Sequence, residues 1–326
     1  MTIHPAAGMH GHSVSIVILI CASRRIFSVL HRQIKPADFS TSVIKSRFQD
    51  LDACVQQFKD KTVILVPNTG NAGDGLLAYS AQQFLKNTDV GFRISEDFRQ
   101  VTADDVVILS PGGSLIKEYQ CYYEELCREF IQSAAREVIL LPHTIRFLSD
   151  PSSFDSPRLT IFCRDRTSYA YCKSQMKKAN VLLSPDMALI GLVLPNAPTL
   201  QPFFRVFTQM NLRQRIKLLR FIVYSMLVAK SNITLYRTDI EATIQTSRKT
   251  NLDLASFYIS KFLIDGEAEL ITFFLLNALR PRTSIHTNRL HTVISGILCN
   301  KDVTYCDNSY GKIEAVFEVA GISTSA

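Results

Sequence analysis

The chain has 326 residues, 47% of them hydrophobic and 20% charged, which is enough for one large or two medium globular domains. Its net charge of +7 favours an anionic partner, such as a phosphorylated metabolite or an acidic membrane surface, unless the charge only keeps the protein in solution. No run of Lys and Arg with interleaved aromatic residues is present, so we expect no nucleic-acid partner. The eight cysteines include no CxxC pair, which excludes a zinc framework and predicts reduced thiols in a cytoplasmic protein.

The N-terminal part, residues 1–44, is predicted to be an extension outside the folded domains. Its apolar stretch, Ser13–Ser23, is about half as long as the roughly 20 residues that a membrane span needs. Arg24 and Arg25 follow this stretch, whereas a secretory signal has its positive charges before the apolar run. We interpret the stretch as a poorly fixed or packed segment, with a membrane-surface anchor as the alternative.

Between residues 45 and 195, apolar strand patterns alternate with helix patterns. Helical spacing is found at residues 76–87 and 124–138. Short apolar runs predict five buried strands: KTVILVP (61–67), DDVVILS (104–110), VILLPHT (138–144), LTIFCRD (159–165) and NVLLSPD (180–186). This alternation predicts an N-terminal α/β domain, residues 45–195, with a parallel sheet covered by helices on both faces.

A second α/β domain, residues 196–326, is predicted after the proline-rich junction Leu192–Phe204. Its strands are predicted at 232–239, 283–287 and 300–307, and a helix at 267–279. Another helical stretch, Arg220–Lys230, is expected to be buried. We therefore predict two doubly wound Rossmann-like domains, whose loops at the carboxyl ends of the strands face a cleft.

The glycine-rich turn in VPNTGNAGDGLL follows the first predicted strand of the N-terminal domain. Its glycines, Gly73 among them, expose consecutive backbone N–H groups beside a helix N-terminus, which suits a phosphate or a carboxylate. It is neither GxGxxG nor a P-loop, so a dinucleotide or nucleoside triphosphate is not indicated. Asp74 either caps the helix or serves the site, and Asn68 and Asn71 could reach a ligand.

The next two strands also end in polar residues. Gly112 and Gly113 either form a tight turn or let a ligand approach the backbone, and Ser114 adds a hydroxyl. His143 is expected just past a strand, either as a structural residue or at the rim of the cleft.

Arginine and aspartate follow the last two strands of this domain. We expect only one of Arg164 and Arg166 to enter the cleft and prefer Arg164, which follows its strand directly; a salt bridge with a local carboxylate is the alternative. Asp186 could orient an arginine, accept a hydroxyl proton or cap a turn.

Arg289 and His291 lie where a predicted strand meets a helix in the C-terminal domain. Arginine stays protonated and can act as an anion clamp, whereas histidine titrates near neutrality and can move protons. Beside a helix N-terminus, the pair fits chemistry on a carboxylate or a phosphate ester. The alternative is a buried histidine with a surface arginine. Nothing in the spacing requires a metal.

In chain order, these motifs resemble those of the polysaccharide pyruvyl transferase family. The resemblance extends over roughly residues 61–318, and residues 196–230 lie within it without a clear match. PGGS stands where the family usually has three glycines. The matching pieces are NTGNAGDGLL, PGGSL, LPHTI, CRDRTSY, SPDMAL, YRTDIEA, HTNRLHTVISGIL and DNSYGKI.

The resemblance implies a fold similar to that of two-domain B-type glycosyltransferases. It implies phosphoenolpyruvate as the co-substrate and no further cofactor. The product would be a pyruvate ketal on a sugar diol of an exopolysaccharide or cell-surface glycan precursor. The sequence does not say whether that acceptor is lipid-linked. Arg289, Leu290, His291 and Arg164 would hold the donor, with His291 as catalytic acid or base. Lys312, in the last matching piece, joins the candidate cleft residues.

Two other functions remain open from the sequence. One is a nucleotide-sugar-dependent glycosyltransferase of the same architecture, and the other is a non-catalytic glycan-assembly subunit. The expected location is the cytoplasm, with peripheral contact to the inner face of the membrane as an additional hypothesis.

Overall fold

The fold is that of a computed structural model of the chain, which describes residues 31–117, 122–194, 196–229, 234–237, 251–307 and 311–323. The interpretation of Ser13–Ser23 lies outside these residues. Within them, no helix combines the length and the hydrophobicity that crossing a membrane requires.

A large parallel sheet forms the first half of the fold, with the strand order β4-β2-β5-β7-β8-β9. A short strand, β6 (Gly112–Leu115), pairs with β7 beyond this path. The parallel sheet that the sequence predicts is confirmed. The strands are β2 (Thr62–Val66), β4 (Gly91–Ile94), β5 (Val106–Leu109), β7 (Glu137–Ile145), β8 (Leu159–Cys163) and β9 (Asn180–Leu183).

Helices cover both faces of this sheet. Along β2, Val63 and Leu65 join one buried apolar cluster, while Ile64 and Val66 join another, because successive side chains of a strand point to opposite faces. The helices that follow these strands are α3 (Ala72–Asn87), α4 (Tyr122–Gln132) and α5 (Arg166–Gln175).

Two sequence expectations differ locally from the structure. The helix predicted to 138 ends at Gln132, because the residues from Glu137 onward pair with β5 and form β7. His143 therefore lies within a strand and not beyond it.

A smaller sheet lies in the second half of the chain. Its parallel strands are β11 (Ser284–Thr287) and β12 (Asp302–Tyr305), and Leu235 forms a parallel bridge to Thr287. The helices on this side are α8 (Glu267–Leu279), α9 (Leu290–Leu298) and α10 (Lys312–Val319).

The third strand of this sheet comes from the predicted N-terminal extension. Strand β1 (Arg32–Ile34) pairs antiparallel with β12, and the side chain of Ile34 is completely buried. Residues 32–34 are therefore part of the folded core, because they complete the small sheet at its edge. Two helices, α1 (Thr41–Arg47) and α2 (Gln49–Gln56), then lead into β2.

Two further contacts join the halves. The two-residue strands β3 (Gly70–Asn71) and β10 (Ile259–Ser260) pair antiparallel, and one apolar cluster contains side chains from both sheets. Two helices connect the halves along the chain: α6 (Phe203–Gln209) and α7 (Leu212–Ala229). The expectation that Arg220–Lys230 is buried is wrong for one face of α7, where Val223 is 55% exposed.

Candidate functional site

A cavity of about 370 Å³ opens where the carboxyl ends of the strands in both sheets meet. Strands β2 and β5 are neighbours at its base, and the chain turns to opposite edges of the sheet on leaving them. Such a switch point is where open α/β sheets bind ligands. The volume falls at the small end of the usual range for small-molecule sites, about 300–1,000 Å³.

Most of the predicted site residues line this cavity. Three predicted site residues do not line the cavity and lie behind its wall: Gly112, His143 and Asp186. Those that line it are Asn68, Asn71, Gly73, Asp74, Gly113, Ser114, Arg164, Arg289, Leu290, His291 and Lys312. The structure thus brings together residues that are separated by more than two hundred positions in the chain.

The glycine-rich turn forms the N-terminal cap of α3. The carboxamide oxygen of Asn71 accepts the N–H of Gly73 at 2.8 Å, and the carboxylate of Asp74 accepts the N–H of Asn71 at 2.8 Å. Asp74 is therefore a capping residue, one of the two roles left open by the sequence. A Cβ added to Gly73 would lie 2.9 Å from the Cβ of His291, so glycine lets the two helix starts approach each other.

Three helices start at the cavity, and they differ in how their first N–H groups are bound. Asn71 caps α3, and the carboxylate of Asp307 accepts the N–H groups of Ile313 and Glu314 in α10. No side chain caps α9 within the described residues. Its first turn, from Leu290 onward, lines the cavity with its N–H groups available to a ligand.

Arg164 is completely buried behind Gly113 and forms a pair with Asp186. Its Nη1 donates to the Asp186 carboxylate at 2.7 Å, and its Nε donates to the Thr144 hydroxyl at 2.9 Å. Its Nη2 has no hydrogen-bond partner among the described residues, and it lies against Gly113 at the cavity wall. Arg166 instead pairs with Glu318 at 2.6 Å on the exposed surface. The structure therefore places Arg164, and not Arg166, at the cavity.

Asp186 connects this arginine to the histidine. Its carboxylate lies 3.7 Å from Nε2 of His291, which has no hydrogen-bond partner in the described part of the chain. Burial would raise the pKa of Asp186, but the Arg164 guanidinium and His291 outweigh it and hold the pKa well below its usual range. Asp186 is therefore ionised and can compensate a positive charge on the imidazole.

Arg289 is held by two residues that the sequence did not single out. Its Nε and Nη2 donate to both carboxylate oxygens of Asp253, and Nη2 also donates to the Ser256 hydroxyl at 2.9 Å. The guanidinium plane is therefore fixed by a paired carboxylate. Asp253 and Ser256 lie in no recognisable motif, so only the fold reveals their contact with Arg289.

Two more cations line the cavity. Lys312 approaches the same glycine as Arg164, since a Cβ added to Gly113 would lie 3.4 Å from its Nζ. Arg237 is buried at the wall, and its backbone N–H donates to the side chain of Asn288 at 2.7 Å. It belongs to the quoted piece YRTDIEA, but sequence reasoning gave it no role.

His143 supports the wall of the cavity from behind. Its ring is fully buried and stacks on Tyr123 with 5.6 Å between ring centroids. Burial, followed by the charge of Arg164, lowers the pKa of His143 well below its usual value, so the imidazole is neutral. Its Nε2 accepts the N–H of Ser114 at 3.3 Å, which fixes Ser114 at the cavity. This is the structural role among the two that the sequence left open.

Asn68 adds the other polar group to this wall. Its amide nitrogen donates to the Ser114 hydroxyl at 3.3 Å, while its Oδ1 is buried without a partner among the described residues. Buried polar atoms in native proteins are nearly always paired, yet three atoms at this cavity have no partner among the described residues. Here they are an acceptor on Asn68, a donor on Arg164 and the Nε2 of His291.

Three comparisons with known proteins bear on the family and the fold of the chain. The family model described as polysaccharide pyruvyl transferase matches residues 71–310. The "Putative pyruvyl transferase EpsO" of Bacillus subtilis (strain 168) is 24% identical over 269 residues, covering 76% of this chain and 80% of that protein.

A solved structure shares the fold. It is that of the protein KP1_0663 from Klebsiella pneumoniae subsp. pneumoniae NTUH-K2044, described as functionally uncharacterized. The TM-score is 0.60 at 23% identity, over 84% of this chain and 93% of that one. Because the family model covers most of the chain, including Gly73, Asp74 and the Arg289–His291 segment, the chain belongs to the polysaccharide pyruvyl transferase family.

Proposed function

We propose that the cavity binds phosphoenolpyruvate and that the protein transfers the pyruvyl group, as a ketal, to two hydroxyls of a sugar in a polysaccharide or cell-surface glycan precursor. The observation that supports this most directly is the convergence of unpartnered donors on one small cavity: Arg164 Nη2 and the first turn of α9. Phosphoenolpyruvate carries a carboxylate and a phosphate, so it needs several cations and N–H groups at once.

Charge distribution supports an anionic donor of this kind. Arg164, Arg237 and Lys312 border the cavity together with Arg289. Asp186 and Asp253 compensate part of this charge, and both act from behind their arginines. Electrostatic stabilisation by positioned cations is usually the largest contribution to such reactions.

In the proposed reaction, the methylene carbon of phosphoenolpyruvate takes up a proton, which leaves a cationic C2 stabilised by its oxygen. One sugar hydroxyl adds to C2 and loses its proton, and the C2–O bond to phosphate breaks with release of inorganic phosphate. A second hydroxyl then adds to C2 and loses its proton, which closes the ketal. In this proposal His291 gives or takes these protons, and the Asp186 carboxylate 3.7 Å from its Nε2 supports that role.

The acceptor is expected to contact the polar wall of the cavity. Asn68 Oδ1 is an acceptor without a partner in the described residues, so it can receive a hydrogen bond from a sugar hydroxyl. Ser114, fixed by His143 and Asn68, offers a second hydroxyl nearby. A sugar that lacks one of these hydroxyls would leave Asn68 or Ser114 without its partner. The site should therefore select strongly against such an acceptor.

The two-domain arrangement of B-type glycosyltransferases is part of this proposal, with the division between residues 45–195 and 196–326. A cavity between the large and the small sheet supports it. A cytoplasmic location and the absence of a further cofactor or metal stay predictions.

The test is an assay with phosphoenolpyruvate and candidate glycan precursors, followed by measurement of released phosphate and mass analysis for the ketal. A thermal-shift panel supplies the control, because a bound ligand raises the melting temperature by mass action. Stabilisation by phosphoenolpyruvate is expected. Stabilisation by a nucleotide sugar alone would favour a glycosyltransferase, and binding of glycans without any transfer would favour an assembly subunit.

A further inference from the structure

Helix α7 has two apolar faces, of which only one is used inside the fold. One face packs toward α8 and buries Leu218, Phe221 and Val228. The opposite face is between 46% and 73% exposed and carries Leu212, Ile216, Leu219, Val223, Met226 and Leu227. An ordinary surface helix would have polar side chains there.

These six side chains form one stripe along the helix. The first five recur every three or four positions, and Leu227 follows Val223 by four, which is the spacing of neighbours on one helix face. At about 1.5 Å per residue, the stripe is on the order of 25 Å long. A contiguous exposed apolar surface of this kind marks a site of contact with another body.

Basic residues flank the stripe, and acidic residues are absent from it. Arg213, Lys217 and Arg220 lie beside it on α7, and none of them pairs with a carboxylate in the part of the chain that the structure describes. The sequence contains no Asp or Glu between Asp186 and Asp239. Such a stretch, with seven basic residues, is suited to a surface of negative charge.

Arg215 has a different role and fixes the orientation of the stripe. It donates to the carbonyl oxygens of Phe207 and Thr208, both at 2.9 Å, and its guanidinium lies over the ring of Phe207. The start of α7 is thereby tied to the end of α6, which itself exposes 79% of Phe204. The apolar stripe is therefore a fixed surface of the folded protein.

We propose that this surface of α7 binds an anionic lipid membrane. The apolar side chains would enter the boundary between headgroups and acyl chains, and the flanking cations would contact lipid phosphates. Four basic residues within the helix prevent it from crossing the bilayer, and no helix among the described residues is long and apolar enough to span one. A second copy of α7 fits less well, because its own cations would face those of the first.

The proposal does not depend on the reaction assigned to the cavity, so the two can fail separately. The test is cosedimentation of the full chain with vesicles of phosphatidylcholine, alone or mixed with phosphatidylglycerol. We expect binding to the mixed vesicles that is about tenfold stronger than to the neutral ones and that weakens as salt is added.

Substitutions on the stripe make the test specific. Leu219→Glu with Val223→Glu should weaken binding to mixed vesicles at least tenfold, because both side chains are exposed and the change leaves the buried face intact. The matched control is Leu263→Glu, because Leu263 is 43% exposed and lies outside α6 and α7. This variant should bind vesicles as the wild type does. Unchanged melting temperatures would show that both variants are folded.

A second variant separates charge from apolar contact. Replacing Arg213, Lys217 and Arg220 by Gln should remove the preference for phosphatidylglycerol. The proposal is overturned if the Leu219→Glu, Val223→Glu protein binds vesicles as well as the wild type. It is also overturned if the wild type binds no vesicles but forms a dimer that these substitutions separate.

Discussion

Among the residues that the structure describes, two buried Arg–Asp pairs border the cavity, one beside the large sheet and one beside the small sheet, and they differ in which guanidinium nitrogens the carboxylate holds. Arg164 donates a hydrogen bond from Nη1 to the Asp186 carboxylate, and its Nη2 has no partner among the described residues. Arg289 donates hydrogen bonds from both Nε and Nη2 to the carboxylate of Asp253. One pair therefore leaves a guanidinium nitrogen at the cavity wall, whereas in the other pair two nitrogens are held by the carboxylate.

The first pair also contacts His291, the proton carrier of the proposed reaction. Asp186 contacts both Arg164 and His291, so one carboxylate positions a cation and an imidazole together. Asp253 contacts Arg289 and has no such link to the imidazole. Substitutions in the two pairs should therefore differ in their effects on turnover, stability and donor affinity.

The largest expected effect is that of His291→Ala. We expect turnover to fall by about 10²–10⁴-fold with the protein still folded, because the proposed proton carrier is lost. The measurement is phosphate release with phosphoenolpyruvate and acceptor. His286→Ala is the matched control, since it lies on β11 and does not line the cavity. Normal turnover in the His291 variant would reject its role.

Asp186→Asn should have the next largest effect, a loss of about 3–5 kcal/mol in the free energy of unfolding near pH 7, because the buried Arg164 loses its counter-charge. The measurement is denaturant unfolding, with the exposed Asp265→Asn as control. That surface pair with Arg205 should contribute less than about 1 kcal/mol.

The effect of Asp186→Asn on the free energy of unfolding should depend on pH. The pKa of Asp186 is lowered in the fold, so its stabilisation is present above the pKa of an unfolded Asp, about 3.9, and is lost as the pH falls below it. The difference in stability between wild type and Asp186→Asn should shrink below about pH 4. A difference that grows in acid would contradict the assigned ionisation.

Arg289→Lys should weaken phosphoenolpyruvate binding by about tenfold, since lysine cannot keep the two-nitrogen contact with Asp253 and the cation would lose its fixed position. Calorimetric titration measures this affinity. Arg280→Lys, an exposed change beyond the end of α8, should leave it unchanged. Equal donor affinity in both variants would count against a role of Arg289 in holding the donor.

The smallest effect is expected for Arg166→Gln. Its partner Glu318 is exposed, and such surface pairs contribute at most about 1 kcal/mol. Turnover and donor affinity should both match the wild type. A clear loss of donor affinity would reverse the choice between Arg164 and Arg166.

The strands that build the cavity could be predicted from the sequence because their signals are local. Runs such as TVILV in β2 are apolar and β-branched, and the glycine-rich turn after it marks the start of α3. The order of these elements places polar residues at the carboxyl ends of parallel strands, so the convergence of Asn68, Arg164 and His291 could be anticipated.

Contacts between distant segments could not be predicted in this way. The pairing of β1 with β12 joins residues about 270 positions apart, and the contact of Asp253 with Arg289 depends on a turn without a motif. In α7, the apolar side chains of both faces look alike in sequence, so the pattern suggested burial where the fold exposes Val223. Only the packing against α8 decides which face is covered.

The proposed donor site depends most on Arg164, which would present its Nη2 to the anionic donor while its Nη1 stays with Asp186. Calorimetric titration of phosphoenolpyruvate into wild type, Arg164→Lys and Arg166→Gln tests this directly, because lysine keeps the charge beside Asp186 but lacks the second nitrogen. We predict that affinity falls about tenfold or more in Arg164→Lys and is unchanged in Arg166→Gln, with both proteins folded by their thermal unfolding. Equal affinity in all three proteins would contradict a role of Arg164 in holding the donor.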